Sequence, residues 1–165
     1  MSLWQTRGDS GRTFSEWREG HKLCVNSKGK AFKGRRCAEK VNTEYRYMQA
    51  DLYNLFPAIG AVNASRSNYN FTMLPAAKSD FGSCAMKIEN RKAEPPERAR
   101  GEIARTYLYM EHTYKRYSMS KAQRQLMNAW DKMYPVSIWE CQRAEKIFKL
   151  QKNKNEVVTS RCLIK

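Results

Sequence analysis

Residues 45–71 read Tyr-Arg-Tyr-Met-Gln-Ala-Asp-Leu-Tyr-Asn-Leu-Phe-Pro-Ala-Ile-Gly-Ala-Val-Asn-Ala-Ser-Arg-Ser-Asn-Tyr-Asn-Phe, and this stretch says most about the fold. It opens in alternation. Tyr45, Tyr47, Gln49 and Asp51 fall on one side and Arg46, Met48, Ala50 and Leu52 on the other, which is the period of a half-buried strand. Pro57 and Gly60 interrupt that pattern, and Asn63 opens a polar run, Asn-Ala-Ser-Arg-Ser-Asn, suited to capping a short helix. Amides and an arginine therefore gather where a strand hands over to a helix. Such a cluster can hold a cation and a phosphate together; ordinary turn and cap chemistry uses the same residue types.

The surrounding chain of 165 residues suits one domain, and 41% hydrophobic content with 12% aromatic supplies enough apolar mass for a core. Lys and Arg outnumber Asp and Glu by 31 to 16, a net charge of +15, so nucleic acid is the first partner to consider and an acidic membrane surface the second. The basic residues interleave with aromatics, as in Tyr45-Arg46-Tyr47 and Tyr114-Lys115-Arg116-Tyr117, which favours a folded binding face over a disordered arm. The plainer alternative is a solvated basic surface with no specific partner. No apolar run approaches the roughly 20 residues that cross a bilayer, and the first residues lack the basic and apolar regions of a signal peptide. Cys24, Cys37, Cys84, Cys141 and Cys162 avoid the Cys-x-x-Cys spacing of zinc sites and suit disulfides, with one cysteine left over.

Residues 11–34 read as irregular loop with Phe14 and Trp17 as its large anchors. Cys24 and Cys37 flank the basic part, residues 25–36, and a bridge between them would staple a cationic loop beside Arg35 and Arg36. Residues 72–93 read as loop with a short strand near residues 85–88. Pro95-Pro96-Glu97 is a helix start, and Ile103, Tyr107, Met110 and Tyr114 follow at helical spacing, predicting an amphipathic helix over residues 97–117. Ser120 and Gln123 form a capping box ahead of the stripe Leu126, Trp130, Met133; Pro135 ends that helix. Ser137 and Glu140 repeat the box ahead of Cys141, Ala144 and Phe148, and Cys162 is expected to tie down the terminus. The two histidines, His21 and His112, read as surface residues.

Several segments together resemble the bacterial endonuclease I family of periplasmic and secreted non-specific nucleases. They are residues 48–68 within the stretch quoted above, residues 11–21 (Gly-Arg-Thr-Phe-Ser-Glu-Trp-Arg-Glu-Gly-His), residues 81–87 (Phe-Gly-Ser-Cys-Ala-Met-Lys), residues 94–110 (Glu-Pro-Pro-Glu-Arg-Ala-Arg-Gly-Glu-Ile-Ala-Arg-Thr-Tyr-Leu-Tyr-Met) and residues 134–141 (Tyr-Pro-Val-Ser-Ile-Trp-Glu-Cys). They stand in the family's order, so the likeness covers about residues 11–162. It implies an α+β protein: a ββα-metal (His-Me) finger with a mainly helical C-terminal half, in one domain over residues 11–165 after a non-family or disordered start at residues 1–10. It also implies Mg²⁺-dependent, non-specific endonuclease cleavage of DNA and RNA by a monomer with no membrane partner. The implied location is periplasmic or secreted, or cytoplasmic if Met1 is the natural start.

By the same resemblance Asn63 is the helix ligand to Mg²⁺, through a hard amide oxygen. Arg35 or Arg36 is the phosphate-stabilising arginine. From their charge and place in the sequence rather than from the resemblance, Arg66, Lys33 and Arg46 are assigned to the nucleic-acid-binding face, with a structural salt bridge or helix cap the equal alternative at Arg66, and Cys24 and Cys37 are taken as a pair. Gln49 stands where the family often has Glu. The family's Glu-His pair, metal ligand and general base, lies in a strand ahead of the segment matched by residues 11–21. Residues 1–10 contain neither, and Glu16-Trp17 is followed by Arg18 rather than by the pair. The resemblance thus points to an endonuclease I shortened at its amino end, without the first finger strand, and with Cys84, Cys141 or Cys162 deprived of a partner. Two alternatives remain: a non-catalytic basic nucleic-acid-binding protein, marked by salt-sensitive and chelator-insensitive binding, and an inactive remnant of a nuclease.

Overall fold

A computed structural model of the chain describes residues 2–4 and 14–162. In chain order its elements are strand β1 (Ser2–Trp4), helices α1 (Ser15–Arg18), α2 (Arg35–Val41) and α3 (Thr43–Ala50), strand β2 (Phe56–Ala58), helix α4 (Gly60–Arg66), and strands β3 (Asn70–Phe71), β4 (Lys87–Glu89) and β5 (Lys92–Glu94). Helices α5 (Arg100–Thr113), α6 (Lys121–Met133), α7 (Ile138–Gln151) and α8 (Glu156–Thr159) complete the chain. Short 3₁₀ turns at Leu52–Asn54 and Glu97–Ala99 lead into β2 and α5. The fold is α+β with a helical second half, as expected. β1 and β2 pair antiparallel, with Leu3 opposite Pro57, and a separate sheet of order β3-β5-β4 pairs β3 parallel and β4 antiparallel to β5. A strand therefore lies beside β2 where none was expected; residues 1 and 5–10 of that start lie outside the described residues.

The alternating segment that read as a strand is helix α3. Asn42 caps it by accepting from the Tyr45 backbone N–H at 2.9 Å, and Tyr45 and Met48, one turn apart, are buried. The alternation failed because Tyr47, which it puts on the same side as buried Tyr45, is 68% exposed. The strand of this region is instead β2, immediately before the helix. Asn63 does not cap that helix but lies inside it, and Ile59, in extended conformation, precedes the first turn. The short strand expected near residues 85–88 is β4, paired with β5 in a tight hairpin.

Helix α5 stops at Thr113, short of the predicted end, and it is buried around much of its circumference rather than on one face: Ile103, Ala104, Arg105, Thr106 and Tyr107 are consecutive and all enclosed. Tyr114 leaves the helix in extended conformation while its hydroxyl donates to Asp51 at 2.7 Å. Met127 and Trp130 are the inward side chains of α6, and Met133 is 66% exposed. Likewise Ala144 and Ile147 face inward on α7, and Phe148 stays 45% exposed. The Ser137–Glu140 box is complete, whereas at Ser120 the structure shows the Ser side chain accepting from the Gln123 N–H without the return bond.

Two polar clusters join the helices. Asp51, 4% exposed, accepts from the Tyr53 N–H and the Gln151 amide at 2.9 Å each and from the Tyr109 and Tyr114 hydroxyls at 2.7 Å each. Burial beside this carboxylate pushes both tyrosine pKa values up, which keeps the hydroxyls neutral donors. Arg105, buried in α5, makes a bidentate pair with Glu140 at 2.7 Å on both arms and donates to the Tyr134 carbonyl at 2.7 Å and to Asp131 at 3.2 Å. Asp131 also pairs with Arg161. Gly101 makes room for this cluster, because a Cβ there would lie 2.7 Å from the Arg105 guanidinium and from Tyr134 Cβ. Cys141–Cys162 ties α7 to the end of the described chain, as expected, and Cys84 is the free cysteine.

Replacing Asp51 by Asn should put an amide N–H₂ among donors and lower stability by about 3 kcal/mol, a fall of roughly 6–12 °C in melting temperature by calorimetry. For Asp131, burial raises the pKa but hydrogen bonds from Arg161 and Arg105 outweigh it and hold the carboxyl below its ordinary range. A depressed folded-state value means that this stability is present above the ordinary carboxylate range, about pH 4, and lost as the pH falls through the folded value. Urea titrations against pH should therefore show a shallower acid limb in Asp131→Asn than in the parent.

Candidate metal and phosphate site

The hand-over from β2 to α4 takes one residue. Pro57 is accommodated in β2, a strand paired on one side, and Ile59 turns the chain so that Gly60 opens the helix. Asn63 is the fourth residue of α4, with its N–H bonded to the Ile59 carbonyl at 2.9 Å and its own carbonyl accepting from Ser67 at 3.0 Å. Its side chain is half-buried, and the carboxamide makes no hydrogen bond among the described residues. Asn is a poor helix former because its amide competes for backbone groups, so an interior Asn with a free amide has no local structural reason to be there.

β2 itself is held from below by Arg143. Its Nη2 donates to the Leu52 carbonyl at 2.6 Å and the Leu55 carbonyl at 2.8 Å, and its guanidinium lies 4.1 Å from the Phe56 ring centroid. This residue was missed in the sequence, where nothing distinguishes it from the other arginines of a basic chain.

The predicted cationic residues divide into two groups. Lys33, Arg35 and Arg36 belong to the corner stapled by the Cys24–Cys37 disulfide, which is formed as expected. Asn26 organises the loop by accepting from the Lys28 and Lys30 N–H groups at 2.9 Å each, and the Phe32 N–H returns to the Cys24 carbonyl at 2.8 Å. Gly34 enters α2 at φ +82°, a conformation that favours glycine, so Arg35 and Arg36 start the helix directly beside the staple. Arg35 is half-buried with its Nε enclosed and without a hydrogen-bond partner; Arg36, Lys33, Lys30 and Lys28 are exposed. No hydrogen bond, ion pair or ring contact among the described residues joins Arg35 or Arg36 to Asn63.

The other group is structural. Arg66 was expected on the nucleic-acid face but is 3% exposed, with its guanidinium 4.5 Å from the Phe71 ring centroid and donating to the Tyr107 hydroxyl at 3.3 Å. Three residues beyond Asn63, it faces the core and anchors α4 there. Arg46 donates to the Glu39 and Lys40 carbonyls at 3.3 Å each and to Thr43 Oγ1 at 2.9 Å, so an arginine read as a DNA ligand caps the end of α2. In the second basic-aromatic motif Tyr117 is buried, Tyr114 serves Asp51, and Arg116 lies near Glu16 and Glu44 and over the Phe14 ring. His21 is exposed in the loop before Cys24, and His112 is exposed in the last turn of α5.

A divalent cation needs oxygen ligands here. The free amide oxygen of Asn63 is of the right kind for a hydrated Mg²⁺, which accepts few protein ligands. Among the described residues no group of three or more His, Cys, Asp or Glu side chains forms a further centre. No described helix is long and apolar enough to cross a membrane.

Residues 19–162 match the family model described as Endonuclease I. The chain is similar to Endonuclease-1 of Buchnera aphidicola subsp. Acyrthosiphon pisum (strain APS), with 41% identity over 149 residues, covering 88% of this chain and 57% of that one. It is also similar to an extracellular deoxyribonuclease of Aeromonas hydrophila, 40% identical over 149 residues (88% and 63%), and to a periplasmic deoxyribonuclease of the same organism, 39% identical over 149 residues (88% and 60%). The chain thus spans about three fifths of the length of these curated relatives.

Asn63→Ala should leave the folded protein as stable or stabilise it by about 0.5 kcal/mol, because Ala is the better helix former and no side-chain hydrogen bond is lost. Arg66→Ala should destabilise by about 3 kcal/mol through loss of a buried, packed side chain. Paired denaturant melts of the two variants separate these outcomes.

Proposed function

Because the chain belongs to the Endonuclease I family, we propose that it derives from a Mg²⁺-dependent endonuclease that hydrolyses phosphodiester bonds of DNA, and of RNA, without sequence preference. The observation that carries this reading is the half-buried, unpartnered carboxamide of Asn63 at a one-residue strand-to-helix turn. In this reading Asn63 Oδ1 holds the cation. Bound there, a divalent cation supplies charge stabilisation for the phosphate under attack and for the departing 3′-oxygen. Arg35 or Arg36 neutralises the phosphate, and the exposed lysines of the stapled loop, with Lys33 nearest the helix, track the neighbouring phosphates. Their net contribution is positional and independent of base sequence.

Hydrolysis also needs a base to take the proton of the attacking water. The one Glu-His dipeptide of the 165 residues, Glu111-His112, lies in the last turn of α5, and neither His21 nor His112 sits on β2 or α4. The 165-residue chain on its own is therefore expected to be a slow catalyst that keeps its affinity for nucleic acid. Its +15 charge supports a second reading, a basic protein that binds nucleic acid without cutting it. Two disulfides suit an oxidising compartment, and a periplasmic or secreted location, like those for which the Aeromonas relatives are named, is proposed here.

A plasmid-relaxation assay with Mg²⁺ tests the reading. The 165-residue chain should relax supercoiled DNA at least about 10²-fold more slowly than a family member bearing the Glu-His pair. Residual cleavage should vanish with chelator and in Asn63→Ala, while duplex binding persists and weakens log-linearly with salt. Rapid relaxation, or residual cleavage unchanged in Asn63→Ala, would remove the assignment.

A further inference from the structure

Trp139 differs from Trp17 and Trp130 in what surrounds it. Trp130 is 2% exposed and Trp17 packs edge-on against Tyr45, whereas Trp139, in the first turn of α7, is 49% exposed beside Ile138 at 79%. A large ring left half in water forgoes the stabilisation that burial gives the other two. Its setting is ordered nonetheless. The Arg143 guanidinium, fixed by the Leu52 and Leu55 carbonyls, lies 5.8 Å from the Trp139 ring centroid and 4.1 Å from that of Phe56. The indole is therefore backed by a cation that is itself held in place, and its other side is open to solvent.

The charge along this side of α7 is mainly positive. Lys146 and Lys149 follow Trp139 two and three turns along the same side of the helix, and Lys152 and Lys154 continue past its end; all four are exposed. The acids nearby are largely engaged: Glu145 pairs with Lys149 at 2.6 Å, Glu156 with Lys154 at 3.1 Å, and Glu140 is turned inward to Arg105. A partner that suits the surface has flat apolar rings joined by anionic links. Position ties the ring to the candidate site. Phe56 stands three strand residues and one helical turn before Asn63, a path of at most about 16 Å at the usual rises, so Trp139 lies within several nucleotides of the candidate cation ligand.

We propose that Trp139 is a stacking platform for an unpaired base of the bound strand, whichever base it is, with the lysines of α7 tracking the phosphates beyond it. The inference rests on the nuclease reading and adds to it a preference for strand state, not for sequence. Every base has a π-face, so stacking on an indole tolerates any base. A closed duplex keeps those faces in its own stack and offers the ring none of them. Single-stranded or locally opened nucleic acid therefore gains from Trp139 what a closed duplex does not.

Fluorescence anisotropy in chelator tests this without cleavage, with oligodeoxythymidylate, oligodeoxycytidylate, a wholly abasic oligomer and a duplex of equal length. The parent chain should bind the two single strands alike and the abasic oligomer at least about fivefold more weakly. Trp139→Leu, which keeps apolar bulk without the ring, should weaken binding of both single strands at least about fivefold, with salt slopes and duplex affinity unchanged, and Trp139→Phe should restore most of the loss. Equal binding of the thymidylate and abasic oligomers by the parent overturns the platform and leaves the nuclease reading standing. So does Trp139→Leu, shown folded by circular dichroism, if it loses nothing or loses single strand and duplex equally. Failure to bind any of the four overturns both.

Discussion

The buried carboxylate of Asp51 is the constraint on which the architecture depends. A charge removed from water must be met by hydrogen bonds or by a counter-charge, and here it is met by four neutral donors and by no ion pair among the described residues. These donors come from the turn after Asp51, from the last turn of α5 and the residue that follows it, and from the end of α7. Satisfying one side chain therefore fixes where α3 ends, where α5 stops and where α7 arrives. It also fixes where β2 begins, and through β2 the position of α4 and Asn63. Arg143 applies a second clamp to the same segment from α7, holding two carbonyls of the turn that leads into β2.

The arginines show how a strongly basic chain divides its cations. Arg105 is enclosed with Glu140 and Asp131, Arg66 lies against Phe71, and Arg46 completes the end of a helix; in each case the planar guanidinium with its several donors is what the location requires. Lysines dominate the exposed, stapled loop, where a point charge on a flexible stem suits contact with a polyanion. The net charge of +15 is a sound guide to the sign of the surface field. It is a poor guide to which residues make that field, because the buried arginines count in the total while serving the core.

The candidate site combines rigidity with unmet bonding capacity. Most buried polar groups of this protein are paired, often several times over. Against that background the free carboxamide of Asn63 and the enclosed Nε of Arg35 stand out. Polar groups left unpaired on a well-supported framework are what a binding site provides, since partners supplied in advance by the protein would have to be displaced by the ligand.

Short-range chemistry was legible in the sequence. The Ser137–Glu140 box, the helix start after Pro95-Pro96, the disulfide around the basic loop and the placement of Asn63 on a helix after a strand all depend on residues within a few positions of each other, or on motifs long enough to carry a resemblance. What only the tertiary structure decided is which side of each element faces inward. The stretch before Asp51 satisfies a strand period and a helix period alike, and the choice between them followed from the Asn42 cap and from the packing of Tyr45 against Phe14 and Trp17. Arg66 left the binding face, and Met133 and Phe148 left the core, for the same reason. Burial is set by partners such as Tyr109, 58 residues from Asp51, or Arg143, 91 residues from Leu52, and no local pattern encodes that distance.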